Sequence, residues 1–286
     1  MKLKLKKIDG LVFEESDHTY TLNGKFLPGV TTILNAKAKD FLKWWSVKEG
    51  VKFLGYWDDK MSPEEIAFQR KTALSMLVNF QGLGVEELEE YNKILDEAKK
   101  AHTKKSKEAL VSGKIAHEWI ENFIKKLIET PLSEEKYLEL IDEITKEMPK
   151  DKKSVASINA FINWCKEHEI IWYASEIKLA SPTYEFAGTI DSVCRLDGKL
   201  TIVDFKTSNQ ISEEYYLQAA AYQILLNENL EDGEERPEQR LVLRIPKDGN
   251  GFEAKFVPTP LDLDIKTFLA LREVRKWDSY VENNLK

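Results

Sequence analysis

Cysteine is scarce in this sequence: Cys165 and Cys194 stand alone among 286 residues, with no C-x-x-C pair and no Cys/His ligand spacing beside either. A disulfide framework, a zinc site and a cysteine-held iron–sulfur cluster are therefore not expected, and a reducing compartment is. Long apolar runs are missing too, none nearing the ~20 residues that a membrane span needs. The basic start (Lys2, Lys4, Lys6, Lys7) leads into Asp9, Glu14, Glu15 and Asp17 instead of an apolar signal segment, so a cytoplasmic location with no membrane partner is expected. Positive charge is in deficit, 42 Lys+Arg against 49 Asp+Glu for a net −7, which argues against a surface coated in basic groups but not against a local basic patch. No internal repeat, low-complexity tract or Pro/Gly/Ser-rich linker divides the chain.

What is present suffices for a core: 42% of the residues are hydrophobic, over a length that suits one large domain. The pattern predicts strands at 11–13, 20–22 and 25–27, the last two joined by an Asn23-Gly24 turn, followed by a turn into helical sequence over 28–34. Helices are expected at about 39–50, 63–80 and 85–98. Residues 86–97 carry six acids, whereas 99–107 carry Lys99, Lys100, Lys104, Lys105, Lys107 and no acid, which reads either as a solvated helix face or as a phosphate-contacting patch. Ile115, Ala116, Trp119, Ile120, Phe123, Ile124 and Leu127 recur at three and four, predicting an amphipathic helix over 108–129. A helix at about 153–167 follows, and then the period changes to two, with strands near 174–179, 186–196 and 199–206. Ser212 is a candidate N-cap for a helix through 228. Strands at 240–246 and 252–258 around Asp248-Gly249-Asn250-Gly251 and a helix over about 261–283 complete an α+β, or mixed α/β, pattern. The expected layout is a single domain over 1–286, with a mostly helical accessory region at 1–107, a core at 108–260 and a C-terminal helix at 261–286.

Asp197-Gly198 between two alternating stretches is a strong signal for a two-residue hairpin loop, which sets 196 against 199. Counting back along both strands puts Asp191 opposite Asp204 and Thr189 opposite Lys206, all four on one face because side chains alternate with period two. Opposed residues have Cβ atoms only ~4.5–5.5 Å apart, and like charges there are unfavourable. Both carboxylates could reach water, or Lys206 could neutralise them. Leu200 and Ile202 on the same face are apolar, however, and a buried carboxylate pair requires a cation or a shared proton. Mg²⁺ or Mn²⁺ suits oxygen ligands of this kind, and Lys206 adds a positive group able to orient a water or stabilise an anionic transition state. That is equipment for metal-assisted phosphodiester hydrolysis.

Gly188-Thr189-Ile190-Asp191, then Asp204-Phe205-Lys206-Thr207-Ser208, then Gln218 and Tyr222 in a Q-x-x-x-Y arrangement, with Gly113-x-x-x-His117 upstream, resemble the PD-(D/E)XK nuclease superfamily in its RecB-like branch. With the segment Pro28-Gly29-Val30-Thr31-Thr32-Ile33-Leu34, the arrangement is most similar to the mitochondrial genome maintenance exonuclease type and to related phage and bacterial exonucleases. The resemblance implies a restriction-endonuclease-like core, a central mixed sheet flanked by helices. It implies Asp191, Asp204 and the backbone carbonyl of Phe205 as metal ligands, His117 as a ligand or orienting group for a second ion, and Lys206 as the residue that positions the nucleophilic water. Gln218, Tyr222, Thr207 and Ser208 would steady the site and the nucleic acid; separately from the resemblance, Lys104 and Lys105 of the lysine run are candidate phosphate contacts. Ile190 stands where the family name has proline, and Asp204 where glutamate is common; the cluster-binding cysteines of some relatives are absent, so the cofactor expected is one or two Mg²⁺ or Mn²⁺ ions and no iron–sulfur cluster.

Several of these residues also admit plainer roles. His117 lies near the edge of its helix's apolar stripe, as a boundary histidine would. Gln218 and Tyr222, one turn apart, could form a simple hydrogen-bonded pair. Glu176 is a candidate third carboxylate whose register no tight turn fixes, and Trp44 and Trp45 are candidates for base stacking or for the core. The function expected is a Mg²⁺/Mn²⁺-dependent deoxyribonuclease, an exonuclease acting on single-stranded DNA or DNA ends in replication, recombination or repair, in a bacterial or phage-infected cell and with possible protein partners there. The competing reading is a nucleic-acid-binding or assembly subunit, on a nuclease fold, of a repair or CRISPR-type complex.

Overall fold

The computed structural model describes residues 3–37, 40–53, 85–129, 139, 143, 148–208, 210–245 and 252–285. Contacts group 1–37 with 112–286 in one compact unit and set 38–111 apart as a second.

The larger unit holds both sheets. Strands β1 (Leu11–Glu14), β2 (Thr19–Leu22) and β3 (Lys25–Leu27) form an antiparallel three-stranded sheet in that order, and α1 (Val30–Leu34) follows. The main sheet has five strands in the order β4 (Ile170–Ser181), β5 (Phe186–Leu196), β6 (Lys199–Lys206), β7 (Gln239–Arg244) and β8 (Glu253–Phe256). It is mixed: β6 and β7 run parallel, connected through α5 (Glu214–Asn229), and the other neighbours are antiparallel. A parallel pair cannot be closed by a tight turn, so the crossover helix between these two strands is what the topology demands.

Both two-residue hairpin turns read from the sequence have the backbone they require. Asn23 and Gly24 (φ 51° and 77°), like Asp197 and Gly198 (φ 49° and 85°), lie in the left-handed region at both central positions, as the two-residue loops of twisted hairpins do. The β5–β6 register follows, with Leu196 facing Lys199, Cys194 facing Thr201 and Ser192 facing Val203.

Helices cover both faces of the sheet. On one, Ala116, Ile120, Phe123 and Ile124 of the long helix α3 (Val85–Glu129) and Ile158, Phe161 and Ile162 of α4 (Lys152–Glu167) pack against Val203, Phe205, Leu241 and Leu243. On the other, Leu217, Ala221, Tyr222 and Leu225 of α5 join Val30 and Ile33 of α1, Phe268 of α6 (Leu261–Asn284) and Leu200 and Ile202 of β6. Alternation along β6 thus sends Val203 and Phe205 to one core and Leu200 and Ile202 to the other. Asp151 caps α4, accepting the Ser154 N–H at 2.9 Å. This mixed α+β architecture, a five-stranded sheet flanked by helices, is the restriction-endonuclease-like fold.

Two expectations shift. The helices read at 85–98 and 108–129 are one continuous helix, because the lysine run between them contains good helix formers and no proline. Its lysines answer the acids a turn or two earlier: Lys99 pairs with Asp96 at 3.2 Å and Lys104 with Glu97. The α5 cap falls at Glu213 instead of Ser212, whose hydroxyl accepts the Glu214 N–H at 3.4 Å. In the smaller unit, α2 (Asp40–Phe53) lies close against α3, where a Cβ on Gly50 would stand 3.1 Å from the Ala98 carbonyl oxygen. The helix expected at 63–80, the side chains of Trp44, Trp45, Lys105 and Lys107, and the turn at 248–251 lie outside the described residues. Among the described residues, no helix is long and apolar enough to cross a membrane.

Candidate active site

Strands β5 and β6 place the acids. Their ladder ends at Ser192 and Val203, beyond which β6 continues beside β7 and β5 beside β4. Asp191 is the first residue past this fork. Its Oδ2 accepts the Phe205 backbone N–H at 2.7 Å, so the carboxylate itself spans the gap where the ladder stops. Neither of the oppositions expected beyond Val203, Asp191 with Asp204 and Thr189 with Lys206, is a rung of the ladder. Thr189 pairs across with Lys178 of β4, and Ile190 and Val193 share the α5-side core although three positions apart, so strict period-two alternation breaks in the interval that holds Asp191.

Asp204 is fully buried, and its Oδ1 accepts from Lys206 Nζ at 2.5 Å. Its other oxygen, Oδ2, is buried without a hydrogen-bond partner. Burial pushes the Asp204 carboxyl up to about 7; Lys206 opposes this and the charge of Asp191 adds to it. Burial would pull the Lys206 ammonium down, but Asp204 and Asp191 outweigh it and hold the group above its ordinary range. The same ammonium lies 5.0 Å from the centre of the Tyr215 ring, a cation–π contact.

His117 comes from α3. Its Nε2–H donates to the Phe205 carbonyl at 3.1 Å, and the same nitrogen lies 3.7 Å from Asp191 Oδ2. Two groups expected as ligands are thus bonded to one another. Glu176 of β4 lies between the pairs Ser175–Ser192 and Ile177–Ile190, which sets it across from Asp191 and supplies the register that the sequence left open. Its φ of 53° is strained for a residue with a side chain, at a cost of about 1–3 kcal/mol. Burial pushes its carboxyl up to about 7, Asp191 and Glu121 add to the rise, and His117 and Lys125 oppose it.

Gln218 and Tyr222 are both buried, and Gln218 Nε2 donates to the Tyr222 hydroxyl at 2.7 Å. Burial pushes that hydroxyl well up, helped by Asp191 and Asp204, so this helix pair faces the two acids. Thr207 and Ser208 follow β6 and are half-buried, with Ser208 Oγ donating to the Gln210 carbonyl at 2.7 Å. Lys104 belongs to the smaller unit.

Sequence reasoning missed Tyr20. Its hydroxyl and Thr189 Oγ1 lie 2.8 Å apart. Burial pushes the phenol up, the bond to Thr189 pulls it down, and the charges of Glu176 and Asp191 push it up again. Only its place one pleat before the Asn23-Gly24 turn could have pointed to it. Tyr215 was missed as well.

Among the described residues, no three His, Cys, Asp or Glu side chains are gathered into a ready-made cage for an ion. The donor chemistry nevertheless fits a hard divalent cation. A buried carboxylate oxygen without a partner, a second carboxylate whose charge acts on it and the backbone carbonyl of Phe205 are all oxygen ligands, and an ion would relieve the uncompensated Asp204 Oδ2.

A family model for the PD-(D/E)XK nuclease superfamily matches residues 88–283, a stretch that includes every one of these groups except Tyr20. The chain belongs to that superfamily and is on that ground a nuclease. No curated protein matches the chain. Among solved structures, the crystal structure of SSO0001 is similar over 58% of this chain and 86% of its own, at 14% identity and a TM-score of 0.26, a likeness too slight to add to the argument.

Proposed function

We propose that the chain is a Mg²⁺- or Mn²⁺-dependent deoxyribonuclease of the RecB-like branch, an exonuclease of the mitochondrial genome maintenance type that acts on single-stranded DNA or DNA ends in replication, recombination or repair. The observation that carries the reading is Asp204. It is a buried carboxylate with one oxygen on Lys206 and the other on nothing, beside Asp191 and one residue from the Phe205 carbonyl.

Asp191, Asp204 and the Phe205 carbonyl would hold the ion, with Glu176 and His117 at its margin. A divalent ion there supplies Lewis-acid charge at a phosphoryl oxygen and lowers the pKa of a water. Lys206 would orient that water and meet the negative charge that develops on the scissile phosphate, and Asp204 keeps its ammonium protonated and aimed. Tyr222 and Gln218, too buried to reach a strand directly, would hold the acids in place. Thr207, Ser208, Lys104 and Lys105 are the proposed contacts to nucleic acid.

Digestion of 5′-labelled, 3′-labelled and circular single-stranded DNA with Mn²⁺ tests the proposal. Release of label from linear substrates with the circle left intact is expected. Cleavage of the circle would overturn the end-requiring reading, and binding of all three without cleavage would make the chain a nucleic-acid-binding subunit.

A further inference from the structure

Past the fork at Ser192, β5 keeps β4 on one edge and has no β6 residue paired on the other. The N-terminal segment fills that edge. The Ala187 N–H donates to the Pro28 carbonyl at 3.1 Å, and Gly29 makes a parallel bridge to Ala187. Two residues further along β5, the hydroxyls of Tyr20 and Thr189 meet at 2.8 Å. Small residues open the route for this phenol. Ala180 and Ala187 line it together with Leu27, and a Cβ on Gly29 would already touch the ring at 3.4 Å. A tyrosine only 7% exposed is thereby delivered to the strand position two residues from Asp191.

We infer that Tyr20 is a positioning residue of the candidate active site: its hydroxyl bond to Thr189 braces β5 beyond the fork and so fixes Asp191 against the Phe205 amide. The N-terminal hairpin is then a working part of the site and takes the place of the strand that β5 loses. Asp191 needs such a support, because the fork removes the ladder bonds that would otherwise fix its backbone on the β6 side. The inference rests on the nuclease reading above.

Three variants test it in the full chain: Tyr20→Phe and Thr189→Val remove the bond, and Thr189→Ser keeps it. A brace predicts that both deletions lower kcat roughly ten- to a hundredfold, the range for a catalytic group displaced by about an ångström, with KM and the melting midpoint nearly unchanged. It further predicts that the double variant is no worse than either single one, and that Thr189→Ser recovers turnover. Wild-type kcat in Tyr20→Phe, or additive losses matched by a lower melting midpoint, would make the bond merely structural and overturn the inference while the nuclease reading stands. If the wild-type chain cleaves nothing, the nuclease reading fails, and metal-free amide exchange decides the brace separately. About tenfold faster exchange over 187–191 in Tyr20→Phe supports it, and unchanged exchange overturns it.

Discussion

Asp191 Oδ2 accepts the backbone N–H of Phe205 at 2.7 Å, joining β5 to β6 at the point where their ladder has ended. An asparagine at 191 could accept the same bond through its amide oxygen while removing a charge that bears on both Asp204 and Glu176. Asp191→Asn should therefore melt at or above wild type in chelator at pH 8, by about 0.2–1 kcal/mol on the scale of opposed cross-strand charges, and should lose most of the metal-induced rise. Asp204→Asn also removes a charge that burial disfavours but weakens the hold on Lys206, whose side chain is only 16% exposed, so its gain without metal should be smaller than that of Asp191→Asn. Melting both variants with and without Mn²⁺ checks the contrast; a full metal-induced rise in Asp191→Asn would remove that residue from the ion's site.

Lys206→Met keeps an aliphatic side chain and removes the ammonium that lies 5.0 Å from the Tyr215 ring centre. The expected outcome is loss of turnover by about two to three orders of magnitude with substrate binding retained, because the charge acts mainly where charge develops. Single-turnover rates at saturating DNA measure this, and a rate equal to wild type would exclude Lys206 from the chemistry.

The pH dependence of the metal-free protein follows from Glu176 and Asp204, both pushed up to about 7, chiefly by burial. Their unfolded values are about 4, so between roughly pH 4 and 7 the native state binds more protons than the unfolded one. Their contribution to stability is complete below that window and is lost as the pH rises through about 7. Relative to wild type in chelator, Glu176→Gln should gain melting temperature from pH 5 to about pH 7 and level off above it. Divalent-ion binding should strengthen over the same interval, since the carboxylates must shed protons to ligate. A difference between the two proteins that is flat with pH would mean that Glu176 does not titrate there.

Gly188 is where α1 and α5 close on β5. A Cβ at this position would stand 2.9 Å from Val30 Cγ2, 3.1 Å from Leu225 Cδ1 and 3.3 Å from Tyr222 Cε1. Gly188→Ala should cost about 1–3 kcal/mol by overpacking and should lower activity more than that loss alone explains, because it presses on the strand that carries Asp191. Chemical denaturation beside turnover at a temperature where both proteins are folded measures the two effects separately.

The β5–β6 register was legible because it depends on two adjacent residues, Asp197 and Gly198, whose turn type leaves one alignment. The burial of Asp204 was legible from Leu200 and Ile202 on its own face. The fork was not. It arises because β6 pairs in parallel with β7, reached only after α5, so nothing local to Asp191 announces that β5 will part from β6. For the same reason Tyr20 escaped notice, since its partner Thr189 lies 169 residues away. Glu176 was visible as a carboxylate but not as the residue across from Asp191, because the turn between β4 and β5 is too long to fix register from sequence. The lysine run at 99–107 looked like a boundary, yet a change in charge does not interrupt a helix where the run holds neither proline nor glycine.

The most direct test of the account is cleavage of end-labelled single-stranded DNA by the wild-type chain in Mn²⁺, Mg²⁺, Ca²⁺ and excess chelator, with Asp191→Asn run alongside. Turnover is predicted in Mn²⁺ and Mg²⁺ and none in chelator. Ca²⁺ should support binding without cleavage, because its looser coordination does not hold the reacting groups in line. Asp191→Asn should be inactive throughout. Undiminished cleavage in excess chelator, or a wild-type rate from Asp191→Asn, would contradict the claim that these two strands build a metal-dependent nuclease site.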